Sequence, residues 1–216
     1  NFAHRWPRMA NFASGRFDTS HVTGLTLTFL AVVFVYVFGA YLDSVVDFVS
    51  SDTITAVDQR VAALLFALRE PHLIQVFTYI TALGDATVIG ILLVGFCITF
   101  ALNRQWPAIL GLSVAVAGNV LTVALLKSFF ARPRPEYAYF VETSGSFPSG
   151  HAAISVAFYA TLAFLLWRTR FIGPLAALIG ALFMVFAISL SRIYLVEHYM
   201  SDVLNGALVG SLWLLI

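Results

Sequence analysis

Apolar residues along the chain gather into long blocks separated by short polar stretches, and six blocks reach or approach the roughly 20 residues that a helix needs to cross a bilayer. They run from about Val22 to Leu42, Ala86 to Leu102, Trp106 to Phe130, Ser149 to Trp167, Gly173 to Leu190, and Tyr199 to the last residue. Between the first two, Val57, Val61, Leu65 and Leu68 recur at helical spacing opposite Asp58, Gln59 and Arg60. That pattern predicts an amphipathic interfacial helix over about Ala56 to Arg69. Pro71 ends it, and His72 to Leu83 reads as a second short helix, stopped by Gly84, that lies against the membrane rather than crossing it. The predicted fold class is all-α: a polytopic membrane protein, a six-transmembrane-helix bundle with short interfacial helices on the extracytoplasmic side. Residues 1–21 read as a cytoplasmic N-terminal segment and 22–216 as one membrane domain. Asn1 at the start and the apolar run Leu212 to Ile216 at the end give both termini a trimmed look.

Composition agrees with this reading. The 216 residues are 60% hydrophobic and 11% charged, and the mean hydropathy of +0.90 lies outside the range of soluble domains. A net charge of +1 without a long basic run sets nucleic acid aside as a partner. The single cysteine, Cys97, sits in an apolar run and forms no intramolecular disulfide. Lys and Arg in short loops fix orientation. Arg5, Arg8 and Arg16 precede span one, Arg104 follows span two, and Arg168 and Arg170 follow span four, which puts these ends and the N-terminus in the cytoplasm. Trp6, Trp106, Trp167 and Trp213 fall near the same boundary, as an aromatic belt would. Lys127, Arg132, Arg134 and Arg192 are then on the outer face, against the positive-inside tendency, and call for another explanation.

Three clusters supply one. Lys127 is followed by Arg134 and Pro135 in KSFFARPRP; Pro148 to His151 spell PSGH at the start of span four; Ser191 and Arg192 close span five, and His198 and Asp202 open span six. Lys127, Arg134 and Arg192 can neutralise a doubly charged phosphate. Ser149 and Gly150 stand at a helix N-terminus, where free N–H groups favour an anion, and Gly150 lets the backbone approach it. His198 and Asp202, four apart, allow the carboxylate to orient the imidazole and leave its other nitrogen free to attack phosphorus. His151 is then free to protonate the leaving oxygen and activate water. Arg192 and His198 share one phosphate only if the helix breaks near Tyr194 to Glu197, and a break is predicted there.

Lys127-x6-Arg134-Pro135, Pro148-Ser149-Gly150-His151 and Ser191-Arg192-x5-His198-x3-Asp202 resemble the three signature motifs of the type 2 phosphatidic acid phosphatase superfamily. The resemblance implies a metal-independent phosphatase without a cofactor, with His198 as nucleophile, Asp202 as its orienting partner and His151 as acid and base. It implies phosphate binding by Lys127, Arg134, Ser149, Gly150 and Arg192, a lipid phosphate substrate, and a bacterial inner (cell) membrane with the site extracytoplasmic. Glu197 departs from the small or apolar residue usual before the nucleophile.

Undecaprenyl pyrophosphate, phosphatidylglycerol phosphate, phosphatidic acid and lipid A phosphates all fit, with a lean to a prenyl pyrophosphate or broad specificity. A transporter or scaffold with a vestigial phosphate site is the alternative from another class. It predicts ionisable residues spread through the spans, whereas here they cluster at one face. A vanadium haloperoxidase conflicts with the spans, and a metal site on His151, His198 and Asp202 with the cations around it. The remaining polar residues take plainer readings. Asp85 is a helix cap, Asn119 and Thr122 bond neighbouring helices, Arg132 snorkels to headgroups, Glu142 is a solvated charge, and Tyr137, Tyr139 and Phe140 anchor at the interface. His4, His21 and His72 have no role. Oligomeric state is left open.

Overall fold

The computed structural model describes residues 22–216, so the expected cytoplasmic segment 1–21, with Arg5, Arg8, Arg16, Trp6, His4 and His21, lies outside the described residues. Those described are helices and connecting loops: α1 Leu27–Ser50, α2 Asp52–Ala67, α3 Pro71–Ala82, α4 Ala86–Leu102, α5 Trp106–Phe130, α6 Gly150–Arg168, α7 Pro174–Tyr194 and α8 Met200–Leu214. Residues Ser155–Ala160 of α6 widen into π-helical turns. Proline opens α3, α5 and α7, where its missing N–H has no helical partner to lose. Asp85 caps α4, its carboxylate accepting the Thr87 N–H at 2.8 Å, as the sequence predicts.

Among the described residues, four helices meet the length and hydropathy of a membrane span: α1 extended back to Gly24, α5, α6 and α7. The α3–α4 pair meets them jointly across a 45° bend. The 15 residues of α8 cover about 22 Å at 1.5 Å per residue, so the count of six is approximate. α1 also runs past the expected end at Leu42 to Ser50, because Asp43 and Asp47 are exposed on its surface and do not interrupt it.

The breaks between helices are built locally. At the end of α7 the Glu197 N–H reaches back to the Arg192 carbonyl and the Val196 N–H to that of Ile193, both at 3.0 Å. This is a Schellman closure, whose left-handed position is usually glycine. Here Val196 fills it, at φ 56°, a conformation that a β-branched residue adopts only under constraint. The predicted break near Tyr194 to Glu197 is therefore present, and it turns His198 back toward the end of α7.

α6 and α8 are in backbone contact. A Cβ on Gly206 would overlap the Ser149 carbonyl oxygen, and one on Gly210 the Ala153 carbonyl oxygen. Small residues four apart permit such an approach, and it brings the Ser149 N–H within 2.9 Å of the Asp202 carbonyl. Leu112, Phe100, Phe158, Ile154 and Ile89 form a buried core among α4, α5 and α6. Trp213 departs from its expected place in a boundary belt. Its Nε1–H donates to Thr122 at 3.1 Å and its ring covers Gly118 near the middle of α5, where a half-buried indole N–H finds its acceptor in Thr122.

Candidate active site

The C-terminal ends of α5 and α7 and the N-terminal ends of α6 and α8 meet at one end of the bundle. Arg104, Arg168 and Arg170 lie at the other, after α4 and α6. Loop 131–149 and helices α2 and α3 cover the first end. Arg69, just after α2, donates to the Tyr137 carbonyl at 2.7 Å and also to that of Leu195. All eight sequence-predicted site residues come to this end.

Arg192 is 1% exposed and Lys127 donates to the Gly145 carbonyl. Arg134 donates from Nε to the Ser144 carbonyl at 3.0 Å and from a terminal nitrogen to the Glu197 carbonyl, also at 3.0 Å. Ser149 is buried and caps α6, its hydroxyl accepting the Ala152 N–H at 3.5 Å. A Cβ on Gly150 would lie 3.7 Å from Val123 and 3.9 Å from the Lys127 side chain. A Cβ there would therefore make ordinary contact with Val123 and Lys127 without a clash. Gly84, read from sequence as a helix stop, has a closer fit: a Cβ there would lie 2.9 Å from the His151 ring and 3.0 Å from Ile188. Gly84 thereby gives the His151 ring its seat. Arg192, His198, Lys127 and Arg134 all lie within electrostatic range of His151.

Asp202 faces His198 as expected, but loosely. Its Oδ2 lies 3.5 Å from Nδ1 of the imidazole, and Nδ1 is buried without a hydrogen bond among the described residues. Asp202 is held instead by the Tyr199 N–H at 3.0 Å and by Arg132 at 2.5 Å. Catalytic hydrogen bonds are often this long before substrate binds. Burial depresses the His198 pKa well below the ordinary imidazole value, and Arg192, Lys127 and Arg134 push it the same way. The proton is therefore lost at lower pH than from a free imidazole, and the neutral form persists through pH 6.5. Nitrogen-15 NMR of the detergent-solubilised protein should show His198 unprotonated there. Half-protonation of His198 at pH 6.5 or above would contradict this electrostatic picture.

Two acidic residues and one arginine depart from the sequence reading, and a third acidic residue, Glu197, joins them in the site. Arg132 does not snorkel. It is 7% exposed, stacked between the rings of Phe48 at 4.5 Å and Tyr199 at 4.2 Å, and paired with Asp58 at 2.9 Å and with Asp202. Asp58, assigned to the water-facing side of α2, is 3% exposed and also accepts the Ser201 N–H at 3.1 Å. Glu142 is not a free solvated charge: one oxygen pairs with Arg192 at 3.1 Å and the other with Arg134. Glu197 is fully buried, accepts the Phe140 N–H at 2.5 Å and lies 3.4 Å from Arg134 and 3.6 Å from Arg192. Burial raises its pKa, while the Phe140 N–H and Arg192 oppose the rise.

The Glu142 carboxylate therefore spans the Arg134 and Arg192 guanidinium groups, and it is a third exposed. Replacing it by Gln should lower KM about two- to fivefold, the scale of one partly exposed ion pair, and leave kcat unchanged. A raised KM in Glu142→Gln would mean that the carboxylate instead holds the arginines in place.

The family model of the PAP2 superfamily matches residues 106–216. The chain belongs to the PAP2 superfamily. As a PAP2 protein it is similar to phosphatidylglycerophosphatase B of Bacillus subtilis (strain 168), 29% identical over 169 residues that cover 76% of this chain and 83% of the relative. Among solved structures it resembles the transmembrane PAP2-type phosphatidylglycerolphosphate phosphatase of Bacillus subtilis, with TM-score 0.77, 26% identity, and coverage of 84% of this chain and 92% of that one. It also resembles Aquifex aeolicus LpxE, with TM-score 0.59, 27% identity, and coverage of 72% and 90% respectively. The chain is a membrane phosphatase of the PAP2 superfamily.

Proposed function

We propose that this PAP2 protein is a lipid phosphate phosphohydrolase that works through a phosphohistidine, with phosphatidylglycerol phosphate as its first-ranked substrate. The observation that carries the reading is the convergence of Lys127, Arg134 and Arg192 beside His151 and His198, at the head of a groove lined by apolar side chains. The ranking rests on the names of the relatives, and it moves phosphatidylglycerol phosphate ahead of the prenyl pyrophosphate favoured by the sequence alone. Undecaprenyl pyrophosphate stays as the second substrate to test.

In this reading the neutral His198 attacks phosphorus through Nε2, while Nδ1–H turns to Asp202. The bond from phosphorus to the lipid oxygen breaks, and His151 supplies the proton that the departing alcohol takes. Water, deprotonated by His151, then attacks the phosphohistidine and releases inorganic phosphate, returning His198 to its neutral state. Lys127, Arg134, Arg192 and the N–H groups at the start of α6, beside Ser149 and Gly150, stabilise the charge on the phosphoryl oxygens in both steps. The cations supply this stabilisation without a metal. The site would face the side opposite Arg104, Arg168 and Arg170, which the positive-inside tendency assigns to the cytoplasm.

Phosphate release from a panel of detergent-solubilised lipid phosphates, with a strong chelator present, tests the proposal. Release from phosphatidylglycerol phosphate at the highest kcat/KM supports it. Release that stops with the chelator, or none from any lipid, contradicts it.

A further inference from the structure

The candidate site continues into the membrane along one face of α5. Lys127, Val123 and Asn119 succeed one another at helical spacing, and with Val116, Gly150 and His151 they line an open groove of about 350 Å³ between α4, α5 and α6. Its wall beyond Lys127 and His151 is apolar except at Asn119. That residue is 1% exposed, and its Nδ2 has no hydrogen-bond partner among the described residues. An amide donor buried without a partner lowers stability, and a leucine of similar size would avoid the loss. The expectation that Asn119 bonds a neighbouring helix is thus not met at Nδ2, whereas Thr122 does bond one, through Trp213.

We propose that this groove holds the acylated glycerol of the substrate lipid and that Asn119 donates a hydrogen bond to an ester carbonyl there, which makes it a specificity-determining residue. The inference rests on the lipid phosphatase reading above. Continuity of the groove with Lys127 and His151 makes the substrate's own tail its occupant, and the apolar wall suits hydrocarbon. Asn119 stands about 12 Å from Lys127 along the helix axis, which leaves room for a headgroup between the scissile phosphate and the acylated glycerol. A prenyl chain would bring no acceptor to Asn119; an ester brings one at the depth where the donor waits.

The test uses two lipids with phosphate on a glycerol headgroup and identical chains, one ester-linked and one ether-linked. The wild-type protein should hydrolyse the ester with a kcat/KM about tenfold higher. Asn119→Leu should erase that preference and should not lower the thermal unfolding midpoint, since it removes an unpaired donor. Equal wild-type rates on the two lipids overturn the proposal whatever the variant does. So does a preference that survives in Asn119→Leu. Absence of wild-type activity on both lipids overturns the choice of phosphatidylglycerol phosphate as substrate, and this proposal with it; release of phosphate from undecaprenyl pyrophosphate by the same preparation would leave the phosphatase reading standing.

Discussion

His198→Ala should lose lipid phosphate hydrolysis altogether, with kcat reduced by at least about 10⁴-fold, because removing a nucleophile removes the reaction path rather than one contribution to it. His198→Gln keeps most of the buried volume and should be as inactive, which separates chemistry from packing at a position that is 3% exposed. His151→Ala should behave differently. A general acid and base contributes about 10²–10⁴-fold, and its loss falls less heavily on the first step when the leaving group is an acidic phenol that needs no proton. With such a substrate, His151→Ala should release a burst of phenol and then stall as phosphohistidine. Steady-state turnover by His198→Gln at more than a few per cent of wild type would remove His198 from the role assigned to it.

Arg132→Met should be the most destabilising single change near the site. The guanidinium bridges Asp58 and Asp202, which are 3% and 0% exposed, and without it two buried carboxylates lose their shared countercharge. Removing one partner from a buried pair costs about 3–5 kcal/mol, enough to lower the unfolding midpoint by several degrees or more. Activity should fall as well, since Asp202 then has less reason to remain beside His198. Adding Asp58→Asn to Arg132→Met should recover part of the stability, because it removes one orphaned charge and the two residues share a network. Strict additivity of the two changes in thermal unfolding would show that Arg132 acts on Asp202 alone.

The same network shows what the sequence could and could not reveal. Periodicity located α4 and α5 to the residue, and the motifs brought together Lys127, Arg134, Ser149, Gly150, His151, Arg192, His198 and Asp202, since each cluster lies at a helix end whose face alternation assigns. Asp58 was hidden because an interfacial helix is expected to turn its polar stripe to water. Along α2 and its C-cap the apolar residues Val57 and Leu68 are 48% and 59% exposed, while Asp58 and Ala62 are buried. A helix at a membrane can turn its apolar stripe to lipid and its polar stripe to protein, so the pattern gives the stripe and not its partner. Arg132 lies two residues before Arg134, and nothing local tells a headgroup contact from a buried countercharge. That distinction depends on Asp58, 74 positions away. The break after α7 was legible from the demand that Arg192 and His198 share a ligand. Its Schellman geometry was not, because Val196 stands where the motif usually shows glycine.

Asn119 and Glu142 are instructive in the same sense. An asparagine in an apolar span reads as helix-to-helix adhesive, and only the lack of a partner for Nδ2 separates a ligand contact from that role. Glu142 reads as solvated because it lies in a loop, yet it pairs with both Arg134 and Arg192.

The most direct test of the phosphohistidine account is rapid quenching of the enzyme with radiophosphate-labelled phosphatidylglycerol phosphate, followed by peptide mapping under alkaline conditions that preserve phosphohistidine. The account predicts label on the peptide containing His198, appearing before free phosphate and absent from His198→Gln. Free phosphate formed at full rate with no enzyme-bound label at any time, or label on a different residue, would contradict it.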